Sequence, residues 1–122
     1  MPLRVLFLDV DGVITVADGS GRLDEAKMRR LQALVQQTGC QVCISSNWRL
    51  FRELKARLVT ALQQHGGIRV IGSTPDHGER THGGAVRPEE IIAFLQAWRG
   101  EPIETWCAVD DRPLHTESGG KF

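Results

Sequence analysis

The stretch Leu3-Arg4-Val5-Leu6-Phe7-Leu8-Asp9-Val10-Asp11-Gly12-Val13 decides how this chain is read. Apolar apart from Arg4, residues 3–8 have the pattern of a strand buried on both faces, and the run ends in two carboxylates two positions apart. An open α/β sheet delivers polar groups to the crevice at the carboxyl ends of its strands, which is where Asp9 and Asp11 would stand. Gly12 follows directly and can take a turn closed to other residues.

The same construction recurs further along. Gln41-Val42-Cys43-Ile44 runs into Ser45-Ser46-Asn47, and Glu104 to Val109 delivers Asp110-Asp111. Between these strands the spacing predicts helices. The first is capped by Asp24 and runs to about Gln37, with Met28, Leu31, Leu34 and Val35 as its apolar stripe and Gly39 as its stop. The second spans 48–64, capped by Asn47 or Ser46, with Leu50, Leu54, Leu58, Val59 and Leu62 facing the core and Gly66-Gly67 at its end. A shorter strand is expected over 68–71, then an aperiodic stretch over 72–86. Arg87-Pro88-Glu89-Glu90 opens a third helix, with Pro88 near its first position and Ile91, Ile92, Leu95 and Trp98 on one face. Residues 13–23 have room for a short hairpin around Asp18-Gly19, standing beside the end of the first strand.

The alternation of strand and helix implies a Rossmann-like three-layer α/β/α domain over 1–122, with a mainly parallel sheet, a hairpin flap and no cap domain. No strand is evident in 112–122, so the sheet is expected to lack an edge or the chain to stop short of a whole domain. Because every strand then points the same way, Asp9, Asp11, Ser45, Ser46, Asp110 and Asp111 gather at one crevice.

Composition narrows the partners. Lys+Arg and Asp+Glu both number 15, so the formal net charge is zero, which argues against broad polyanion binding while leaving room for a local basic patch. No apolar run is long enough for a membrane span and no secretory signal follows Met1-Pro2, so a cytoplasmic protein is expected. Cys40, Cys43 and Cys107 are read as free thiols. Cys40 and Cys43 have the spacing of half a zinc site, but Cys43 and Cys107 lie in apolar runs where cysteine packs as a small hydrophobe.

Converging carboxylates repel one another and want a cation. Hard oxygen donors with no histidine among them suit Mg²⁺. Such a cation would hold Asp9 ionised for attack on a phosphate monoester, with Asp11 placed to protonate the leaving oxygen and later to deprotonate water. A hydroxyl of Ser45 or Ser46 would bond a phosphoryl oxygen, and Arg87 would supply fixed positive charge. The plainer alternatives are that the serines cap a helix and that Arg87 is a surface residue.

These motifs resemble those of the haloacid dehalogenase-like superfamily, the aspartate-nucleophile phosphohydrolases. Leu8-Asp9-Val10-Asp11-Gly12-Val13 is similar to the first motif, which implies Asp9 as nucleophile and Asp11 as general acid/base, with the Asp11 backbone carbonyl on the metal. Ile44-Ser45-Ser46 resembles the second, with Ser45 favoured, and Arg87-Pro88 stands where the third usually has lysine. Val109-Asp110-Asp111 resembles the fourth, the acidic pair completing a magnesium site that thus involves Asp9, Asp11, Asp110 and Asp111, with Asp110 favoured over Asp111 as a direct ligand. More narrowly, Ser45-Ser46-Asn47-Trp48-Arg49, Gly72-Ser73-Thr74-Pro75 and Arg87 with Glu90-Ile91 resemble the small domains of this superfamily in RNA-repair-type multidomain proteins. The resemblance implies a Mg²⁺-dependent phosphomonoester hydrolase working through an aspartyl-phosphate. Its substrate would be a phosphorylated small molecule or macromolecule, nucleic-acid ends included.

Trp48 and Arg49, beside Ser45, are expected to touch the substrate, whereas His77 and His82 read as solvated loop residues. A bacterial receiver domain is excluded by motif order, since here the aspartate-any-aspartate pair comes first and the adjacent pair last. The remaining alternative is a catalytically inactive module of the same fold that binds phosphate or a protein.

Overall fold

The computed structural model describes residues 2–77 and 86–122. Strand β1 (Leu3–Leu8) is followed by helix α1 (Glu25–Thr38), strand β2 (Gln41–Ile44), a short 3₁₀ helix (Asn47–Leu50) and helix α2 (Arg52–Gln64). Strand β3 (Val70–Ser73), helix α3 (Val86–Ala97), strand β4 (Ile103–Val109) and the helical turn α4 (Leu114–Glu117) complete the order. The sheet runs β3-β2-β1-β4, and each neighbouring pair is parallel.

Alternation along β1 splits the core in two, because successive side chains of a strand point to opposite faces. Leu6 and Leu8, with Val42 and Ile44 of β2, meet Met28 and Leu31 of α1 and Leu58 and Leu62 of α2. Val5, Phe7 and Cys43 face the other way, onto Ile91, Phe94 and Leu95 of α3 and Trp98 just after it. Phe7 is fully buried there, edge-on to Phe94 and to Trp106 with ring centroids 5.6 Å away in both cases. Burying such a ring stabilises the fold by roughly 1.5–3 kcal/mol. The result is the three-layer α/β/α architecture that the strand-helix alternation implies.

Local chemistry sets the boundaries of α1. Asp24 accepts from the backbone N–H groups of Ala26 and Lys27, and Gly39 closes the helix in the left-handed conformation at φ 70°. Between β1 and α1 the chain makes the expected hairpin. Thr15 and Leu23 form an isolated antiparallel bridge, and the Val16 N–H donates to the Arg22 carbonyl at 2.8 Å. Among the described residues, this flap and the turn before it, where the Val13 and Ile14 N–H groups donate to the Val10 carbonyl, are what lies between β1 and α1.

The structure corrects several expectations. The helix foreseen over 48–64 is interrupted at Phe51, whose extended backbone (φ −116°, ψ 114°) separates the 3₁₀ helix from α2. Leu50 therefore projects to solvent rather than into the core, and Leu34 at the rim of α1 is also exposed. Strand β3 pairs over 70–73 instead of 68–71, while Ile68 packs into the first core ahead of it. Cys43 is buried, and burial pushes its thiol up to about 12. Cys107 is exposed instead of packed, on the side of β4 facing away from α3. The tail beyond β4 is more ordered than its polarity suggested: Leu114 is buried in the second core, and Phe122 stacks edge-on against Trp106 at 5.1 Å. Among the described residues, no helix is long and apolar enough to cross a membrane.

Candidate active site

The carboxyl ends of β1 and β4 lie side by side, with Leu8 registered against Val109. Asp9 and Asp110 are the next residues of their strands, and the Asp9 N–H donates to the Val109 carbonyl at 3.0 Å. Asp9, Asp110 and Asp111 each present a carboxylate oxygen within 4.8 Å of the others, a group that could hold a divalent metal ion. The Asp11 carboxylate is not one of the three and points elsewhere; its Oδ2 accepts from the indole Nε1 of Trp48 at 3.2 Å.

Gly12 makes room for this cluster. Its φ of 80° is one that side-chain-bearing residues rarely adopt, and a Cβ there would lie 2.8 Å from Cγ of Asp111. The turn thus brings the backbone against the acidic pair, and no larger residue fits without displacing it.

Arg87, in the first turn of α3, supplies the counter-charge. Its Nη1 lies 2.6 Å from Oδ2 of Asp110 and 3.4 Å from Oδ1 of Asp9, and the guanidinium is almost fully buried. Burial opposes its charge, but Asp110 and Asp9 more than offset that and hold the guanidinium's pKa above its ordinary value. Burial also pushes Asp9 up to about 7; the Asp110 charge adds to the rise, while Arg87 opposes it. A carboxylate so crowded favours a proton or a cation, and three oxygen donors without nitrogen or sulfur fit a hard divalent cation.

The two serines after β2 divide their roles. Ser46 Oγ accepts from the Trp48 N–H at 3.1 Å and caps the 3₁₀ helix. Ser45 is equally buried, yet among the described residues its Oγ has no hydrogen-bond partner, and neither has Nε of Arg87. Orphaned buried polar groups are rare in folded proteins, so both atoms are candidates to meet a ligand.

The two residues expected to touch substrate each hold other parts of the protein. Trp48 is buried and holds Asp11, and Arg49 is locked inside the protein. Arg49 donates to the carbonyls of Ser46, Thr74 and Pro75 at 2.8, 2.7 and 3.0 Å and to Glu90 at 2.9 Å. Those bonds tie the 3₁₀ segment after β2 to the chain after β3 and to α3. Glu90, read from sequence merely as part of a helix start, is fully buried and also accepts from the His77 N–H at 3.0 Å. No periodicity could have singled it out, because its partner lies on a distant element. The His77 side chain is exposed, and His82 lies outside the described residues.

Comparison with protein families matches residues 5–122 to the model described as the HAD domain in Swiss Army Knife RNA repair proteins. Comparison with curated proteins and with solved structures gave no match. The match runs from the middle of β1 through the tail, so it takes in all four strands, Asp9, the serines, Arg87 and the acidic pair. With that coverage and this cluster, the chain belongs to the family of HAD domains found in Swiss Army Knife RNA repair proteins.

Proposed function

We propose that this protein is a phosphomonoester hydrolase with Asp9 as nucleophile and Mg²⁺ as cofactor. The observation that carries the reading is the buried Arg87 bridging Asp9 and Asp110 beside the unsatisfied Oγ of Ser45. A phosphoryl group set there would meet the Ser45 hydroxyl and the free Nε of Arg87, with Asp9 below it.

In the first step an Asp9 oxygen bonds to phosphorus and the bond to the leaving oxygen breaks, its electron pair taking a proton from Asp11. In the second, water attacks the aspartyl-phosphate, Asp11 takes the water's proton, and inorganic phosphate departs as Asp9 is restored. Mg²⁺ bound by Asp9, Asp110 and Asp111, together with the Asp11 backbone carbonyl, would neutralise charge that three carboxylates and a phosphate otherwise place together. Arg87 in place of lysine keeps the charge and adds a planar fork of donors. The substrate is a phosphorylated small molecule or macromolecule, and the family's name makes a nucleic-acid end a reasonable member of the test set.

The experiment is phosphate release from an aryl phosphate and from 5′- and 3′-phosphorylated oligonucleotides, with and without Mg²⁺, for the protein and its Asp9→Asn variant. Turnover that requires both Mg²⁺ and Asp9 is expected. Folded protein that turns over none of these substrates would leave a binding module in its place.

A further inference from the structure

Asp11 is held by one oxygen only. Its Oδ2 accepts from the Trp48 indole at 3.2 Å, and among the described residues nothing bonds Oδ1. The indole is itself fixed from two sides. The Trp48 backbone N–H is tied to Ser46 Oγ, and the guanidinium carbon of Arg57 stands 4.8 Å from the ring centroid. Arg57 in turn donates from Nη2 to the Gly21 carbonyl in the flap at 3.2 Å. A chain of contacts therefore runs from the flap through Arg57 and Trp48 to Asp11.

Asp11 also lines a cavity of about 530 Å³ between the flap and α2, walled by Thr15, Val16, Ser20, Leu54 and Arg57 as well as Trp48. That volume falls within the roughly 300–1,000 Å³ of ordinary ligand sites. An indole N–H can only donate. The indole N–H occupies Oδ2, so Oδ1 is the oxygen left to face the leaving group.

Resting on the phosphohydrolase reading above, we propose that Trp48 is the positioning residue of the proton donor and that this cavity is the leaving-group subsite. The substrate class follows from that arrangement. A donor fixed to a single proton-bearing oxygen serves an alcohol too basic to leave as its anion, such as a sugar hydroxyl, and adds little for an acidic phenol. As the phosphorus–oxygen bond breaks, its electron pair passes to the alcohol oxygen, which takes the proton from Oδ1, and Asp11 is left as a carboxylate still bonded to Trp48.

The test compares kcat for an activated aryl phosphate and for an alkyl phosphate, in the Mg²⁺-loaded protein and its Trp48→Phe variant. Phenylalanine keeps a ring under Arg57 while removing the N–H together with part of the indole's volume, which is why the readout is the alkyl-to-aryl ratio and not the rate alone. General acid catalysis contributes on the order of 10²–10⁴; losing its alignment is expected to lower alkyl turnover at least tenfold more than aryl turnover. In an Asp11→Ala background the same substitution should change neither ratio nor rate further. Equal losses on both substrates would overturn the proposal and make Trp48 a structural residue only. Should Trp48→Phe fail to fold, the exposed Arg57→Ala, which releases the ring, is expected to shift the ratio in the same direction, and an unshifted ratio there would overturn it equally. Wild-type protein inactive on both substrates would sink the phosphohydrolase reading itself, an outcome distinct from a wild type that turns over both with a ratio insensitive to Trp48.

Discussion

Arg49 and Glu90 form an ion pair at 2.9 Å with their side chains only 2% and 0% exposed. The pair joins the chain after β2 to α3, and through the Thr74 and Pro75 carbonyls it takes in the chain after β3. Glu90 lies three residues after Arg87, about one helical turn, so the pair also fixes the turn that carries the site's cation.

Removing one member takes the nearest counter-charge away from a buried ion, which costs about 3–5 kcal/mol. Arg49→Met is expected to lower the unfolding free energy by that amount in urea titrations. Glu90→Gln, which keeps an acceptor for the His77 N–H, should cost less. The Arg49→Met/Glu90→Gln double variant should lose less than the sum of the singles, because the second change removes the stranded charge. Additive losses would show that the two side chains do not depend on each other.

Ser45 and Ser46 make a sharper comparison, being adjacent, equally buried and differently bonded. Ser46→Ala loses a cap and is expected to cost ~1 kcal/mol of stability while leaving most of the turnover. Among the described residues Ser45→Ala breaks no side-chain bond, so its stability should stay within about 0.5 kcal/mol of wild type. Its phosphatase rate should nevertheless fall by roughly 10²-fold or more, as for loss of a donor to developing charge. Thermal melts and phosphate release on both variants decide the matter, and a reversed pattern would assign the phosphate contact to Ser46.

The pH dependence of the metal-free protein follows from Asp9. Its carboxyl is raised from 3.8 to about 7 in the fold, so the folded state holds the proton more tightly than the unfolded chain does. The contribution to stability is full below the unfolded value and is lost as pH rises through 7. In the chelated protein, the melting temperature should fall between pH 4 and 8, and Asp9→Asn should fall less over that window. Burial and the Asp110 charge, with a side-chain hydrogen bond to Asp111, raise Asp9 against the opposing charge of Arg87, so added Mg²⁺ is expected to flatten the wild-type slope. A wild-type profile parallel to that of Asp9→Asn would show that another group sets it.

The parts of this molecule that local chemistry determines were legible in the sequence. The strand of residues 3–8, the Asp24 cap, the Gly39 stop and the acidic groups after β1 and β4 each follow from neighbouring residues. What could not be read was set by contacts between distant elements. Arg49 reads from sequence as a substrate contact beside Ser45 until the carbonyls after β3 are placed around it, and the break at Phe51 has no local signal. Ile68 has the apolar character of a strand residue, yet pairing starts at Val70. Glycine at position 72, usually unfavourable in a strand, sits where a Cβ would come within 3.2 Å of Phe94. Leu114 and Phe122 join the core from a tail whose apolar residues have no period.

The interior position of β1 has a kinetic consequence. Its first residue pairs with Ile103, 100 positions after Leu3 (103 − 3), so the strand that carries Asp9 acquires its second neighbour only when the last strand docks. Parallel pairings this far apart close large loops before they gain contacts and are correspondingly slow to form. The flap, α1 and β2 all emerge earlier during synthesis, but a chain that has not yet docked β4 cannot hold a cation between Asp9 and Asp110. On the proposed reading, a cation bound there would act as a latch on the finished fold rather than a nucleus for it. Stopped-flow refolding rates are expected to be the same with and without Mg²⁺, with the ion's whole stabilising effect appearing as slower unfolding.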